Sequence, residues 1–152
     1  MTRLLVERFG PEVVATDFDP EQVALAEGRL ADLDEWVEFR VVDARAMPFD
    51  DAQFDGVFSF GVLHHILGEW RQAVAETARV LKPDGWLVLT DMVVSPRAGR
   101  LVGRLLPRLD QLEETALYAC LDENSLHLEH YERGRGMLVE LMGHCAAVAR
   151  KA

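Results

Sequence analysis

Apolar runs alternate with amphipathic segments along most of the chain, a pattern typical of an α/β fold. Four runs rich in β-branched or aromatic residues indicate strands, at residues 13–16, 37–42, 54–60 and 86–94. Helical spacing of apolar residues lies between or before these runs, at residues 2–9, 20–30 and 70–81. Strands that are apolar throughout and separated by helices predict a mostly parallel sheet with helices on both faces.

The last third of the chain has a different pattern. It predicts two helices, at about residues 96–106 and 111–121, the second capped by Asp110. Two further strands, at residues 126–132 and 137–150, flank the turn Gly134-Arg135-Gly136. A turn this short requires an antiparallel C-terminal β-hairpin. No linker or repeat divides the sequence, so residues 1–152 are predicted to form a single domain.

Composition narrows the range of partners and compartments. The net charge of -10 argues against a nucleic acid or an anionic membrane surface as the main partner. The two cysteines, Cys120 and Cys145, lack metal-ligand spacing, so we expect reduced thiols in a cytoplasmic protein and no bound metal. No secretory signal or membrane-spanning stretch is evident.

Asp17 ends the first apolar run and precedes a helix that Asp19 is expected to cap, with Pro20 at the first helical position. An acidic residue at this place binds the ribose hydroxyls in nucleotide-binding α/β folds. The alternative is a helix-flanking carboxylate that only favours the helix N-terminus. In such folds the glycine-rich loop lies about 20 residues upstream of the acid, which here falls before Met1.

Four segments carry a family resemblance, in order along the chain: Val-Val-Ala-Thr-Asp at 13–17, Phe-Arg-Val-Val-Asp-Ala at 39–44, Phe-Asp-Gly-Val-Phe-Ser-Phe-Gly-Val-Leu-His-His at 54–65, and Arg-Val-Leu-Lys-Pro-Asp-Gly-Trp-Leu-Val-Leu at 79–89. The chain resembles a class I S-adenosylmethionine-dependent methyltransferase of the small-molecule, type 11 kind. The resemblance implies a Rossmann-like fold, S-adenosyl-L-methionine as cofactor, and methyl transfer to an O, N, C or S nucleophile of a small-molecule acceptor. It also implies that residues 96–125 form a helical lid.

The sequence departs from the family pattern at its start. The Gly-x-Gly-x-Gly loop of the family is absent, and residues 2–9 look like the helix that follows that loop. We therefore expect an N-terminally truncated methyltransferase that lacks the first, central strand and has reduced affinity for its cofactor. The gap in the sheet would be closed by the chain itself, by a second copy in a homo-oligomer, or by a strand-supplying partner.

The resemblance implies six cofactor-binding residues at strand ends: Asp17, Phe18, Asp43, Ala44, Ser59 and Phe60. Asp17 would accept hydrogen bonds from both ribose hydroxyls, and Phe18 would lie against the ribose or adenine. Asp43 would accept the adenine amino group while the backbone of Ala44 bonds the ring. A core role for Phe18 and a turn role for Asp43 are the structural alternatives.

His64 and His65 are the candidate catalytic residues, since an imidazole can act as a general base near neutral pH. The alternative is that they begin a helix, with one ring buried and hydrogen-bonded. Two other functions are left open for the chain. One is a non-catalytic remnant of the fold that acts as a binding or pairing module; the other is a nicotinamide-dependent oxidoreductase, which an acid after a strand also permits.

Overall fold

A computed structural model describes residues 1–9, 12–66, 68–105, 112–134 and 142–152. The chain divides into two compact units, Met1–Pro48 and Phe49–Ala152, which are described in turn. The organisation of residues 1–152 as a single domain stays a prediction.

The first unit contains two helices and a two-stranded sheet: α1 (Thr2–Phe9), β1 (Val13–Asp17), α2 (Pro20–Arg29) and β2 (Val37–Val41). β1 and β2 are parallel and in register from Val13↔Val37 to Asp17↔Val41. The backbone N–H of Glu21 donates to Asp19 Oδ1 at 2.8 Å, which confirms Asp19 as the cap of α2. β1 and α2 therefore follow the sequence pattern closely, and β2 ends one residue earlier than predicted.

The second unit is built on a four-stranded sheet, with the elements β3 (Phe54–Phe60), α3 (Trp70–Val80), β4 (Leu81–Val94), α4 (Pro96–Leu105), α5 (Glu114–Glu123), β5 (Leu126–Arg133) and β6 (Met142–Lys151). The strand order is β3-β4-β6-β5. β3 is parallel to β4, whereas β6 is antiparallel to both of its neighbours. Parallel strands followed by an antiparallel C-terminal pair confirm the predicted α/β class.

The core of the second unit lies on one face of its sheet. Alternate residues of β4 and β6 are buried there, because successive side chains of a strand point to opposite faces. These residues are Leu87, Leu89, Asp91, Val93, Cys145, Ala147 and Ala149. From α5, Leu117 and Leu121 are also buried. Trp70, at the start of α3, is fully buried.

β4 begins five residues earlier than the sequence pattern predicts. The predicted helix at residues 70–81 and the predicted strand at 86–94 leave Lys82-Pro83-Asp84-Gly85 between them, but β4 starts at Leu81 and includes this segment. The pairing with β3 is irregular there, since Phe54 pairs with Leu81 while Gly56 pairs with Trp86. Residues 82–85 are therefore extended, like the rest of β4, but do not pair regularly with β3.

The C-terminal elements differ from the prediction at their ends. Glu113 caps α5, its side chain accepting from the backbone N–H of Thr115, so the helix begins later than predicted. The β5–β6 ladder continues to Gly134, whose N–H donates to His144 O at 2.8 Å. The ladder therefore extends into the predicted turn. Gly10, Pro11, Asp110, Arg135, Gly136 and residues 137–141 lie outside the described residues.

The described strands belong to two separate sheets rather than one, β1–β2 and β3–β4–β6–β5. β3 pairs with β4 and forms an edge of the four-stranded sheet. Within the described residues, no helix is long and apolar enough to cross a membrane.

Candidate functional site

In the first unit, two of the predicted cofactor-binding residues lie at one edge of the sheet. Asp17 is the last residue of β1, and its carbonyl oxygen accepts a hydrogen bond from Val42 N at 2.9 Å. Val42 directly follows β2, and Asp43 comes next. Because the strands are parallel, the structure brings Asp17 and Asp43 to the same carboxyl edge, where open α/β sheets bind ligands.

Asp17 has an exposed side chain. Among the described residues its carboxylate accepts one hydrogen bond, from Asp19 N to Oδ1 at 2.9 Å. The neighbouring Phe18 is 68% exposed. An exposed carboxylate fits the vicinal hydroxyls of a ribose, and an exposed aromatic ring beside it fits a nucleoside base. The chemistry of this edge thus suits the adenosine part of S-adenosylmethionine.

Asp43 is half-buried and held by Arg45, two residues on. The backbone N–H of Arg45 donates to Oδ1 at 2.9 Å, and its guanidinium donates to Oδ2 at 2.7 Å. These hydrogen bonds hold the pKa of the Asp43 carboxyl below its usual range. Sequence reasoning overlooked Arg45, although a basic residue two positions after a strand-end acid is visible in the sequence. An adenine amino group would have to share Asp43 with this guanidinium; Ala44, between them, is half-buried.

In the second unit, β3 ends at the predicted residues Ser59 and Phe60. Ser59 is half-buried, whereas Phe60 is 36% exposed. The ring of Phe60 stacks on that of Phe58, with 6.4 Å between the ring centroids. Gly61 follows with φ +66°, a left-handed conformation that glycine adopts without strain. A short 3₁₀ helix, Leu63–His65, begins two residues later. The positive φ of Gly61 therefore turns the chain from β3 into the segment that carries both histidines.

His64 is anchored to Asp91, a residue of β4. Nδ1 of His64 lies 2.6 Å from Asp91 Oδ1, and the side chain of Asp91 is fully buried. The backbone N–H groups of Leu63, His64 and Met92 also donate to this carboxylate, at 2.8, 3.3 and 2.7 Å. Three backbone donors and the imidazole nitrogen surround the buried carboxylate, so Asp91 fixes the position of both the loop and the imidazole.

The predicted pair of histidines is therefore divided by environment. The His64 side chain is 26% exposed and hydrogen-bonded, while His65 is exposed, with its ring centroid 3.9 Å from that of His64. This arrangement fits both interpretations of the sequence. A partly buried, hydrogen-bonded imidazole can have a structural role, and it can also be a general base held in a fixed orientation. The catalytic role of His64 and His65 stays a prediction.

Sequence reasoning missed Asp91. The run at residues 86–94 predicts a strand of nearly continuous apolar character, and Asp91 is the acidic residue within it. A carboxylate inside an apolar strand has to be paired or coordinated, since an isolated buried charge is very costly. That requirement could have marked Asp91 as a residue with a partner. The sequence does not show that the partner is His64, because it lies 27 residues upstream.

Parallel strands that alternate with helices and a C-terminal antiparallel pair agree with the fold expected from the sequence, that of a class I S-adenosylmethionine-dependent methyltransferase. The profile of the methyltransferase-domain family matches residues 1–89, more than half of the chain. The chain belongs to this family, the small-molecule methyltransferases whose cofactor is S-adenosyl-L-methionine.

Two similar proteins illustrate the range of acceptors in the family. The chain is 32% identical over 118 residues to 27-O-demethylrifamycin SV methyltransferase of Amycolatopsis mediterranei (strain S699), covering 76% of the chain and 43% of that protein. It is 41% identical over 88 residues to demethylmenaquinone methyltransferase of Clavibacter sepedonicus, covering 57% of the chain and 35% of that protein. The chain thus spans less than half the length of these relatives.

A solved structure with the same fold is geranyl diphosphate C-methyltransferase from Streptomyces coelicolor A3(2), in complex with Mg²⁺, geranyl diphosphate and S-adenosyl-L-homocysteine. The TM-score is 0.83 at 15% sequence identity, over 99% of this chain and 66% of that one. At this identity the likeness establishes the fold and leaves the acceptor undefined.

Proposed function

We propose that the chain is part of an S-adenosylmethionine-dependent methyltransferase that acts on a hydroxyl group of a small molecule. His64 serves as the general base, and the carboxyl edge of β1 and β2 holds the adenosine part of the cofactor. The observation that carries the proposal is the contact of His64 Nδ1 with the buried carboxylate of Asp91 at 2.6 Å.

The anchored ring explains how His64 can accept a proton. An ionised carboxylate only accepts hydrogen bonds, so it favours the tautomer with the proton on Nδ1. The remaining nitrogen, Nε2, then carries the lone pair that a general base needs. Asp91 is a positioning residue in this proposal, because it orients the ring and touches no reacting atom.

A hydroxyl acceptor follows from the need for a base. The cofactor, when bound, supplies an electrophilic methyl group, so the protein contributes alignment, exclusion of water and removal of a proton. A neutral amine has a free lone pair before the transfer, whereas a hydroxyl becomes a strong nucleophile only as it loses its proton. The name of the rifamycin relative specifies O-methylation, which supports this choice for a chain 32% identical to it.

The cofactor contacts are proposed residue by residue. Asp17 binds the ribose hydroxyls and Phe18 covers the nucleoside. Asp43 and Ala44 bind the adenine. The exposure of Asp17 and Phe18, and the position of these residues at the ends of β1 and β2, support these roles. Ser59 and Phe60 are proposed to contact the methionine end. Because the sequence contains no Gly-x-Gly-x-Gly segment, we expect residues 1–152 alone to bind S-adenosylmethionine weakly.

We also propose that a strand from outside the described residues pairs with β3. Natural edge strands carry charges or other features that prevent further pairing. β5, at the opposite edge, has Glu129, Glu132 and Arg133, whereas β3 has one charged residue, Asp55, and exposes Phe58 and Phe60. The strand can come from a longer chain, a second copy or another partner.

A cytoplasmic location is also part of the proposal. Cys120 and Cys145 are buried free thiols, and burial raises the pKa of each. Reduced cysteines of this kind are consistent with a cytoplasmic protein.

Production of S-adenosylhomocysteine from a panel of hydroxylated aromatic compounds tests the proposal. The comparison includes the wild type, His64→Gln and His65→Gln. We expect His64→Gln to lower kcat by about 100-fold or more, since general-base catalysis contributes about 10²–10⁴-fold. The His65→Gln variant, which lacks the neighbouring imidazole but retains the Asp91 contact, is expected to lose less than tenfold (about 1.4 kcal/mol).

The competing functions give different results in this assay. Equal activity of wild type and His64→Gln would remove the proposed base. Binding of S-adenosylmethionine by the wild type without turnover of any acceptor would favour a non-catalytic pairing module. The methyltransferase-domain match favours methyl transfer over the nicotinamide-dependent alternative.

A further inference from the structure

The helix α4 directly follows β4, so it begins at the carboxyl end of the strand that contains Asp91. Ser95 connects the two elements, and its carbonyl oxygen accepts a hydrogen bond from Gly99 N at 2.8 Å in the first turn of the helix. β3, which leads into the segment of His64, is parallel to β4. The start of α4 and the His64–Asp91 pair therefore lie towards the same end of the four-stranded sheet.

Three arginines form one face of α4, which we call the arginine face. Arg97, Arg100 and Arg104 are spaced by three and four residues, so they lie on the same side of the helix, and all three are exposed. Another side of the helix is closely packed, because a Cβ added at Gly99 would lie 2.7 Å from Glu113 Cγ. This close approach fixes the rotation of α4 about its axis and keeps the arginine face in solvent.

The arginine face concentrates positive charge on an acidic chain. The net charge of the chain is -10, and other arginines, such as Arg3, Arg79 and Arg150, pair with carboxylates of the fold. A guanidinium binds carboxylate and phosphate oxygens through two parallel hydrogen bonds, which an ammonium group cannot do. A local positive face on an acidic protein also attracts anions to that place. The chemistry of the arginine face therefore suits a ligand with an anionic group.

The length of chain between Asp91 and Arg100 limits their separation. The strand from Asp91 to Ser95 spans roughly 13 Å, and the helix from Ser95 to Arg100 adds roughly 8 Å. The Cα atoms of Asp91 and Arg100 are therefore at most roughly 21 Å apart. A compound of two or three rings can span a distance of this order when a long arginine side chain meets one of its ends.

We propose that Arg100 and Arg104 bind an anionic group of the methyl acceptor, a carboxylate or a phosphate, while the hydroxyl group of the acceptor lies at His64. This assignment rests on the proposed methyltransferase function and names the class of acceptor. The two arginines determine specificity, because they contact the acceptor away from the reacting atoms. An anionic acceptor gains charge-assisted hydrogen bonds that a neutral compound of the same shape lacks. The chain should therefore prefer acidic hydroxylated compounds.

The compounds 6-hydroxy-2-naphthoate and 6-hydroxy-2-naphthamide are suitable probes, because they have nearly the same shape and differ in charge. Each is titrated into the wild-type chain and followed by the amide NMR signals of His64, Arg100 and Arg104. We expect the naphthoate to bind about tenfold more tightly than the naphthamide, the effect of its charge-assisted hydrogen bonds. Added salt should weaken the binding of the naphthoate more than that of the naphthamide, because the arginine face is exposed.

A double variant, Arg100→Gln with Arg104→Gln, tests the two arginines directly. Its Kd for the naphthoate should rise about tenfold, while its Kd for the naphthamide changes less than twofold. Arg8→Gln with Arg29→Gln is the matched control, because it removes two exposed arginines from other helices and changes the net charge equally. Both of its Kd values should stay within twofold of the wild type. Since all four side chains are exposed, the urea midpoints should stay close to that of the wild type.

Turnover gives a second measurement of the same arginines. With the naphthoate as acceptor, the Arg100→Gln, Arg104→Gln variant should have a raised KM and a kcat within about twofold of the wild type. Groups that bind the acceptor away from the reacting atoms contribute equally to the ground state and the transition state, so their loss appears in KM. His64→Gln should show the opposite pattern, a lowered kcat with little change in KM.

Equal binding of the naphthoate and the naphthamide by the wild type, or an unchanged Kd for the naphthoate in the double variant, overturns the proposal. Flotation of the wild type with phosphatidylglycerol vesicles, without selectivity for the naphthoate, also overturns it, because the arginine face would then dock on a membrane. The titrations require neither S-adenosylmethionine nor turnover. Loss of activity in His64→Gln without naphthoate selectivity therefore refutes the anion site alone. Selective naphthoate binding by a chain inactive with every acceptor refutes the methyltransferase function alone.

Discussion

His64 Nδ1 and Asp91 Oδ1 lie 2.6 Å apart, although 27 residues separate them along the chain. The carboxylate belongs to a strand interior and is fully buried, while the imidazole belongs to a short 3₁₀ helix and is partly exposed. Three backbone N–H groups complete the shell of the carboxylate. The buried strand thereby fixes the position of the loop and of the imidazole that it carries.

Asp91→Asn should destabilise the protein far more than the size of the change suggests. An amide has one accepting oxygen, so in either orientation its NH₂ group faces at least one backbone N–H donor around this site. Opposed donors in a buried position should cost about 2–3 kcal/mol of the free energy of unfolding. Urea unfolding followed by circular dichroism measures this loss.

Asp55→Asn is the matched control for that measurement. The Asp55 side chain is 88% exposed and pairs with Lys82 at 2.9 Å. An exposed ion pair of this kind contributes less than about 1 kcal/mol, so the control should unfold close to the wild type. If the two variants lost equal stability, Asp91 would not be the buried anchor of the histidine loop.

Asp17→Asn should weaken nucleoside binding while leaving the first unit folded. The exposed carboxylate is replaced by a group with one acceptor, so the charge-assisted bonds proposed for the ribose hydroxyls would be lost. We expect the Kd for adenosine, measured by NMR titration of the Asp17 and Phe18 amides, to rise about tenfold. The loss should be smaller for 2′-deoxyadenosine, because this ligand keeps only one of the two hydroxyls that Asp17 is proposed to bind.

Asp19→Ala tests the separation of roles between the two neighbouring acids. Asp19 caps α2, so its removal should cost about 1 kcal/mol of stability. Adenosine affinity should change less than twofold, since the backbone N–H that Asp19 donates to Asp17 remains. A large loss of adenosine binding in Asp19→Ala, with little in Asp17→Asn, would contradict the assignment.

The sequence was informative where structure depends on neighbouring residues. The Asp19-Pro20 cap, the parallel strands around Asp17 and the β3 strand all follow from local periodicity and helix-capping preferences, and all are present. The start of β4 was missed because Pro83 and Gly85 are typical of turns, whereas here an irregular pairing with β3 includes them in an extended segment.

The candidate site was less predictable because its key contacts are not local. Asp91 looks like one polar residue in an apolar strand until the fold places His64 against it. The Glu114–Arg133 pair depends on α5 packing beside β5, which no periodicity specifies. By contrast, Arg45 lies two residues from Asp43, and a search for local charge pairs would have found it.

Arg45→Met should raise the pKa of Asp43 towards the ordinary value of about 4 for an aspartate. In the wild type, hydrogen bonds from Arg45 lower that pKa. The pair therefore stabilises the fold above the ordinary carboxyl pKa, and this contribution is lost as the pH falls through the lowered value. The stability difference between wild type and Arg45→Met should thus be present at pH 7 and vanish in strong acid.

Carbon-detected NMR of the Asp43 carboxyl measures this shift directly. Arg40→Met is the control, because Arg40 pairs with Glu38, whereas Arg45 is the residue that lowers the pKa of Asp43. It should leave the Asp43 midpoint unchanged. An Asp43 midpoint that stays low in Arg45→Met would show that another group holds the carboxylate.

Two glycine substitutions should have opposite effects on stability. A Cβ added at Gly85 would lie 2.8 Å from Lys82 O and 3.2 Å from Asp55 O, which are both backbone atoms and cannot move without disturbing β3 and β4. Gly85→Ala should therefore cost about 1–3 kcal/mol. A Cβ at Gly28, on α2, meets nothing within 4 Å, so Gly28→Ala should stabilise by about 0.5–1 kcal/mol through helix propensity. Urea unfolding of both variants checks the signs, and a tolerated Gly85→Ala would mean that the irregular β3–β4 pairing has room for a side chain.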